Sequence, residues 1–419
     1  MGKPLVRTGR AVVLSTAVNI GMAVAGAAAG VILARGLGAE DRGHLAAVMA
    51  WYAISLVVAE IGQSASLTYW VANRPAERAT YVSTARLLML ALSLVVAGLG
   101  LLFADVLAAG SDEVALTYRI VFLGCILNAA GAPTMYAMQA TSIAVWNVLR
   151  AVQPLLYLIV IVVLFATERL TLITAAVAVL VSVGAQLLTA TVVGGRYGLR
   201  RHAVTKSAVN DLSRYGAAYS SYAVPATLAV QYDRVLLSWS VGAQQLGQYA
   251  VAITVAQLSK PFATAIASVV FPRFSSFSGT ERARVSTENR TIWVTVAATG
   301  AALALVGILG APLVPLVFGP DFAEAVPLIW LLLPAMLVRG VNDVIAMVLR
   351  GRGLPARAAV AQLAVLVAGA IGLAAFVGVW GIGAAPVVLA IAELIGLAVS
   401  SSLLWRVRRR AAQLEEKTS

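Results

Sequence analysis

Seven ionisable side chains fall inside long apolar runs of this sequence: Glu60, Asp233, Arg234, Lys260, Arg339, Asp343 and Glu393. At the centre of a lipid-facing helix each would cost about 3 kcal/mol. Seven would cost roughly 20 kcal/mol, more than a typical folding free energy, so they must face protein or a wet cavity. The chemistry open to such groups is proton or ion binding, gating by ion pairs, and electrostatic capture of a charged ligand. Other chemistry is poorly provided for. The single cysteine, Cys125, excludes an intramolecular disulfide and thiolate metal clusters. His44 and His202 lack metal-ligand spacing, so no metal site is expected. No GxxxxGK[ST] is present and the one Gly-Lys pair is Gly2-Lys3, which excludes ATP hydrolysis by this chain.

The elements that must position these groups are membrane spans. The 419 residues are 60% hydrophobic and only 12% charged, with a mean hydropathy of +0.89, where a soluble domain carries about a quarter charged residues. The N-terminus (Lys3, Arg7, Arg10, then an apolar run to Leu33) has the outline of a signal peptide, but the run is too long and eleven similar ones follow. Runs of about 20 apolar residues predict spans at 11–33, 44–71, 87–107, 116–140, 145–166, 170–193, 215–241, 246–271, 291–317, 325–349, 357–377 and 383–405. The fourth and fifth meet tightly at Thr141 and Ser142. With the N-terminus cytoplasmic, 24 of the 31 basic residues fall in inner segments and four, Arg35, Arg42, Arg119 and Arg169, in outer ones. A wrong span count would scramble that alternation. Topology therefore accounts for the net charge of +13, and no nucleic-acid partner is needed. The two longest connections, 194–214 and 272–290, are basic and read as cytoplasmic loops with short interfacial helices.

Val31–Gly43 lies over Val235–Gly247 at a constant offset of 204, with Gly38-Ala39 on Gly242-Ala243 and Gly43 on Gly247. Both copies connect the first and second spans of a six-helix half. Glycine recurs there because a tight turn between long helices demands positive φ or close backbone approach. Six is even, so the halves share one orientation and are related by an axis along the membrane normal. The expected fold is an all-α integral membrane protein of twelve transmembrane helices, in two six-helix lobes related by a pseudo-twofold axis, 1–205 and 206–419.

Gly38-Ala-Glu-Asp-Arg-Gly43, the stretch Tyr232-Asp-Arg-Val-Leu-Leu-Ser-Trp-Ser-Val-Gly-Ala-Gln-Gln-Leu-Gly-Gln-Tyr249, and Phe318-Gly-Pro-Asp-Phe-Ala-Glu-Ala325 before an apolar helix resemble the polysaccharide-transporter, or lipid-linked oligosaccharide flippase, family. That family belongs to the multidrug/oligosaccharidyl-lipid/polysaccharide exporter (MOP) superfamily. The resemblance covers essentially the whole chain. It implies a secondary transporter rather than an enzyme, in a bacterial inner membrane with both termini cytoplasmic. The implied activity is export of an undecaprenyl-diphosphate-linked oligosaccharide to the outer leaflet by alternating access, through a V-shaped cavity between lobes. Partners would be the lipid-linked glycan, membrane lipids and other polysaccharide-assembly membrane proteins; no cofactor is expected beyond coupling to H⁺ or Na⁺. The rival readings are a cation-coupled multidrug exporter of the same superfamily, with an acidic and aromatic cavity, a membrane enzyme of envelope polysaccharide synthesis, and a scaffold that moves nothing.

Against that resemblance the candidate substrate-binding residues are Arg234, Lys260, Arg339 and Arg35, and the candidate coupling or gating residues are Asp233, Glu60 and Asp343. At the 204 offset Lys260 lies over Leu56, one turn from Glu60, so the two occupy near-equivalent faces of the lobes as a gate or a static pair. Pro261 should kink the helix beside Lys260. Asp233, where the family often carries Asp, is either a proton or sodium carboxylate or a helix anchor; Arg234 points about 100° away from it. Arg339 and Asp343, at i and i+4, are expected to neutralise each other in part. Glu393, on the last helix, reads as structural. Four intramembrane acids against three bases depart from the cationic cavity that a diphosphate needs, unless Arg150, Arg350 or Arg35 supply the field or Asp233 or Glu60 is protonated.

Overall fold

The computed structural model describes residues 4–199, 202–259 and 280–418, with side chains from Leu14 through Ala411 and at Gln413. Every regular element among them is helical: α1 (Pro4–Glu60), α2 (Gln63–Asn73), α3 (Arg78–Leu107), α4 (Asp112–Thr141), α5 (Ile143–Ala166), α6 (Leu172–Arg196), α7 (Lys206–Ser240), α8 (Ala243–Ala256), α9 (Glu281–Phe318), α10 (Ala325–Gly351), α11 (Pro355–Trp380) and α12 (Ala384–Thr418), with short 3₁₀ turns between some of them. Eight stretches of the described residues are long and apolar enough to cross a membrane. The first, Leu14–Asn73, holds 60 residues, about 90 Å of straight helix and far more than one crossing needs. It turns back on itself at Gly38, where φ is 74°. Ser15 meets Asn147 near the start of α5 and Gly36 abuts Phe165 and Leu170 beyond its end, so residues 15–36 run with α5. Tyr52 lies against Gly124, and Glu60 hydrogen-bonds Tyr136, so residues 39–60 run with α4, antiparallel to the first leg. Gly38 thus has the left-handed conformation that its turn demands; its repeat partner Gly242, at φ −64°, serves instead as an extended N-cap of α8.

The chain forms two compact units, Met1–Val224 and Pro225–Ser419, whose boundary falls within α7. In the first unit Leu45, Tyr52, Phe122, Cys125, Ile161 and Val179 fill one core cluster between the second leg of α1 and α4, α5 and α6. A second cluster, with Leu67, Tyr81, Met138, Leu149 and Leu212, ties α2 to α3, α4, α5 and the start of α7. Close approach relies on small residues, since apolar burial does not drive helix association in lipid. Phe122 of α4 packs on Gly100 of α3, and Leu187 of α6 on Gly131 of α4. The tight junction at Thr141 and Ser142 is a true break, with Ser142 extended between α4 and α5. Lys206 onward belongs to the long α7, where the sequence suggested a separate interfacial helix.

In the second unit α10 packs against α8, α9 and α12, and α11 against α12. Tyr232 of α7 lies on Gly369 of α11, and Val365 of α11 on Gly396 of α12. Where α9 begins and α10 ends, Glu288 is fully buried and receives Arg352 at 2.7 Å and Arg408 at 2.9 Å, while Arg352 also reaches Glu281 at 2.7 Å. Burial opposes the Arg352 charge, but these two glutamates outweigh it and hold the guanidinium above its ordinary value. This clamp fastens α9, α10 and α12 together at one end.

Candidate functional site

Inside the second unit, α7, α9, α10, α11 and α12 enclose a cavity of about 110 Å³ lined by Ala229, Val230, Gln257, Ser259, Thr299, Met336, Arg339, Gly340, Asp343, Gln362 and Glu393. Arg339 is the cation in this lining. Its Nε donates to Glu393 Oε1 at 2.6 Å and a terminal nitrogen reaches the Ala229 carbonyl at 3.4 Å. The Asn342 amide donates to Glu393 Oε2 at 2.8 Å and to the Glu393 carbonyl at 2.9 Å, and its own oxygen accepts from Ser400 at 3.2 Å. The Arg339 side chain keeps 15% of its surface and Glu393 only 4%. A pair this deep holds because each charge is matched and hydrogen-bonded; removing one partner would strand the other. The i+4 spacing suggested Asp343 as the neutralising partner. In the structure Arg339 also reaches across to Glu393 of α12, and Asp343 stands one turn along in the same lining.

On α7, Asp233 is 1% exposed and accepts from the Tyr249 hydroxyl of α8 at 2.8 Å. Arg234 turns elsewhere and donates to Gln231 at 2.9 Å, as expected of adjacent helical residues. Asp233 is close enough to Arg339 to act on its charge, yet it is not part of the cavity lining. Arg339 and Asp343 therefore share a cavity, while Asp233 and Arg234 sit beside it. Lys260 and Pro261 lie outside the described residues.

The first unit places its intramembrane acid at a break in a helix. After Glu60 the chain passes through Ile61 (φ 43°) and Gly62 (φ 72°) before α2 begins at Gln63. Glu60 accepts the Ser64 amide at 3.0 Å and pairs with the Tyr136 hydroxyl. Gly62 is pressed against the Gly216 backbone of α7, and a Cβ on Gly216 would stand 2.6 Å from the Ile61 carbonyl oxygen. Gln63 is fully buried with both amide atoms lacking a hydrogen-bond partner, as is the Ser220 hydroxyl. Arg35 is exposed in this unit. Arg150 stacks on Trp146 at 4.1 Å and holds Asn147 and Ser15, and Arg350 in the second unit bonds the Ala346 carbonyl at 3.3 Å. Among the described residues no three His, Cys, Asp or Glu side chains gather as a metal site would require.

A family model described as polysaccharide biosynthesis protein matches residues 9–278, well over half of the chain. The chain belongs to that family. Its fold is that of MOP superfamily transporters. It is similar to a lipid II flippase, MurJ, in an inward closed conformation, at a TM-score of 0.78 and 13% identity over 94% of this chain and 87% of that one. A multidrug resistance MATE family transporter of the superfamily, in an inward-facing conformation, aligns at 0.75 and 14% identity over 95% and 96%. A third likeness is to a superfamily transporter from Pyrococcus furiosus Vc1, whose binding pocket has reverse polarity, at 0.64 and 13% over 98% and 96%. No curated protein matches the chain by sequence. The chain is thus a multi-pass helical membrane protein of the polysaccharide biosynthesis family.

Sequence reasoning about this family member passed over Asn342, Tyr249 and Ser400, and read Glu393 as structural without its partner Arg339. Asn342 had a usable signal, since it sits three residues from Arg339 in an otherwise apolar helix and so shares its face. Tyr249 had none that separates it from a core aromatic. Glu393 lies 54 positions from Arg339, and only packing joins them.

Proposed function

We propose that this chain is a secondary transporter that flips an undecaprenyl-diphosphate-linked oligosaccharide from the inner to the outer leaflet of a bacterial inner membrane. In this reading twelve spans form two six-helix lobes with both termini cytoplasmic, and access alternates between the two sides. The observation that carries it is the lining of the second-unit cavity. Gln257, Ser259, Thr299 and Gln362 offer neutral donors and acceptors that suit sugar hydroxyls, Asp343 is an acceptor for the same hydroxyls, and Arg339, held in place by Glu393, suits a phosphate. None of the described lining residues is aromatic. The described lining therefore offers no aromatic face for cation–π capture of a hydrophobic cation, while its neutral amides and hydroxyls suit a glycan. Family membership and the likeness to a lipid II flippase support the same substrate class.

A membrane potential of 100 mV, inside negative, favours outward movement of each negative charge by about 2.3 kcal/mol. A head group of charge about −2 crossing the whole field would gain roughly 4–5 kcal/mol. Coupling to H⁺ or Na⁺ would act on Asp343, Asp233 or Glu60. The test is reconstitution of the purified chain in proteoliposomes carrying fluorescent lipid-linked oligosaccharide, beside vesicles loaded with a hydrophobic dye cation. The expected result is movement of the glycolipid and none of the dye. Dye export without glycolipid movement would establish the drug-exporter alternative, and movement of neither would remove transport by this chain alone.

A further inference from the structure

We infer that an open groove between α8 and α9 holds the polyprenyl chain of the transported lipid, an inference that rests on the flippase reading above. The groove has a volume of about 310 Å³ and an almost wholly apolar lining that includes Val255, Leu258, Ala302, Leu305, Leu309 and Phe318. Leu258, Leu305 and Leu309 expose between 41% and 57% of their surface, so it opens outward. In a membrane protein an outward apolar groove faces hydrocarbon, and a lipid chain is what can fill it.

Its position selects the chain. Leu258 stands between Gln257 and Ser259, which line the polar cavity, and Ala302 is one turn from Thr299, which lines it too. The same two segments therefore present a polar cavity on one face and an apolar groove on the other. A ligand with a hydrogen-bonding, anionic head and a long hydrocarbon tail matches both. Length points the same way. From Ala302 to Phe318 the groove follows α9 for sixteen positions, about 24 Å. One leaflet offers only about half of the roughly 30 Å hydrocarbon core. A chain laid along the whole groove outruns a leaflet, which suits a polyprenyl chain better than a phospholipid acyl chain.

The test uses the purified full chain in vesicles of phosphatidylethanolamine and phosphatidylglycerol, labelled with undecaprenyl phosphate that carries a photoactivatable diazirine in its chain. Labelling is expected on Leu305 and Leu309, competed by unlabelled undecaprenyl phosphate and not by added phosphatidylglycerol. Ala302→Trp and Leu305→Trp, each filling the groove, are expected to lower labelling at Leu309 at least five-fold. Ile308→Trp, on the same helix at a 68% exposed position outside the lining, should label as the parent does. Equal displacement by phosphatidylglycerol, labelling that falls elsewhere, or full labelling of both groove-filled variants would overturn the assignment. Labelling is read without transport, so the two failures separate. Groove labelling in a protein that moves no glycolipid counts against the flippase reading alone; glycolipid movement with no groove labelling counts against the groove alone.

Discussion

The two units answer the same membrane with different chemistry. At the 204 offset, Asp233 and Tyr249 of the second unit lie over Ala29 and Leu45 of the first. Asp233 and Tyr249 are a buried hydrogen-bonded pair, while Ala29 and Leu45 are buried apolar residues at 4% and 1% exposure. The second unit carries its charges inward, in Arg339, Glu393 and Asp233, around a polar cavity. The first keeps its ion pairs near helix ends, Arg74 with Asp211 and Arg119 with Asp105, and puts its one intramembrane acid at a broken helix. At these two positions the second unit bears a cost of burying polar groups that the first unit, with Ala29 and Leu45, does not.

The largest effect should come from splitting the Arg339–Glu393 pair. Glu393→Leu alone strands a buried guanidinium and should cost about 3–5 kcal/mol, whereas Arg339→Met with Glu393→Leu should fall within about 1 kcal/mol of the parent. Unfolding in detergent measures both, and equal losses would mean that the pair is a structural requirement. The first unit should be most sensitive at backbone rather than charge. Gly62→Ala puts a Cβ at a φ of 72° and into the Gly216 carbonyl, for about 2–4 kcal/mol by the same measurement. A variant as stable as the parent would remove the close approach on which that account depends.

Smaller effects sharpen the comparison. Asp233→Leu leaves the Tyr249 hydroxyl without its acceptor and should cost about 1–3 kcal/mol. Adding Tyr249→Phe should restore most of the loss, as the apolar pair of the first unit implies; no recovery would break the equivalence. Arg119→Ala removes an exposed pair whose side chains keep 43% and 65% of their surface, and should move stability by about 0.5 kcal/mol or less.

Much of the fold was legible because hydropathy and charge placement are local properties. Among the described residues the apolar runs fall in helices, and the turn at Gly38 has the positive φ that its glycine suggested. The break at Ile61–Gly62 was not legible. Glu60, Gly62, Gln63 and Ser64 lie inside a run that hydropathy reads as one span, and the break packs against Gly216, some 150 positions away. The site was half legible for the same reason. Arg339 and Asp343 stand out as charges in an apolar helix, but the i+4 rule names the neighbour along the helix while packing brings Glu393 from α12. Spacing finds residues that share a face; it does not find the helix facing them.

In the proposed function Arg339 holds the anionic head of a glycolipid in the second-unit cavity. The most direct measurement is binding and flipping of lipid-linked oligosaccharide by the Arg339→Met/Glu393→Leu protein, whose charge pair is gone while its stability is retained. Loss of head-group binding by at least ten-fold, with flipping abolished, is the predicted result. Binding and flipping at the parent level in that variant would contradict it.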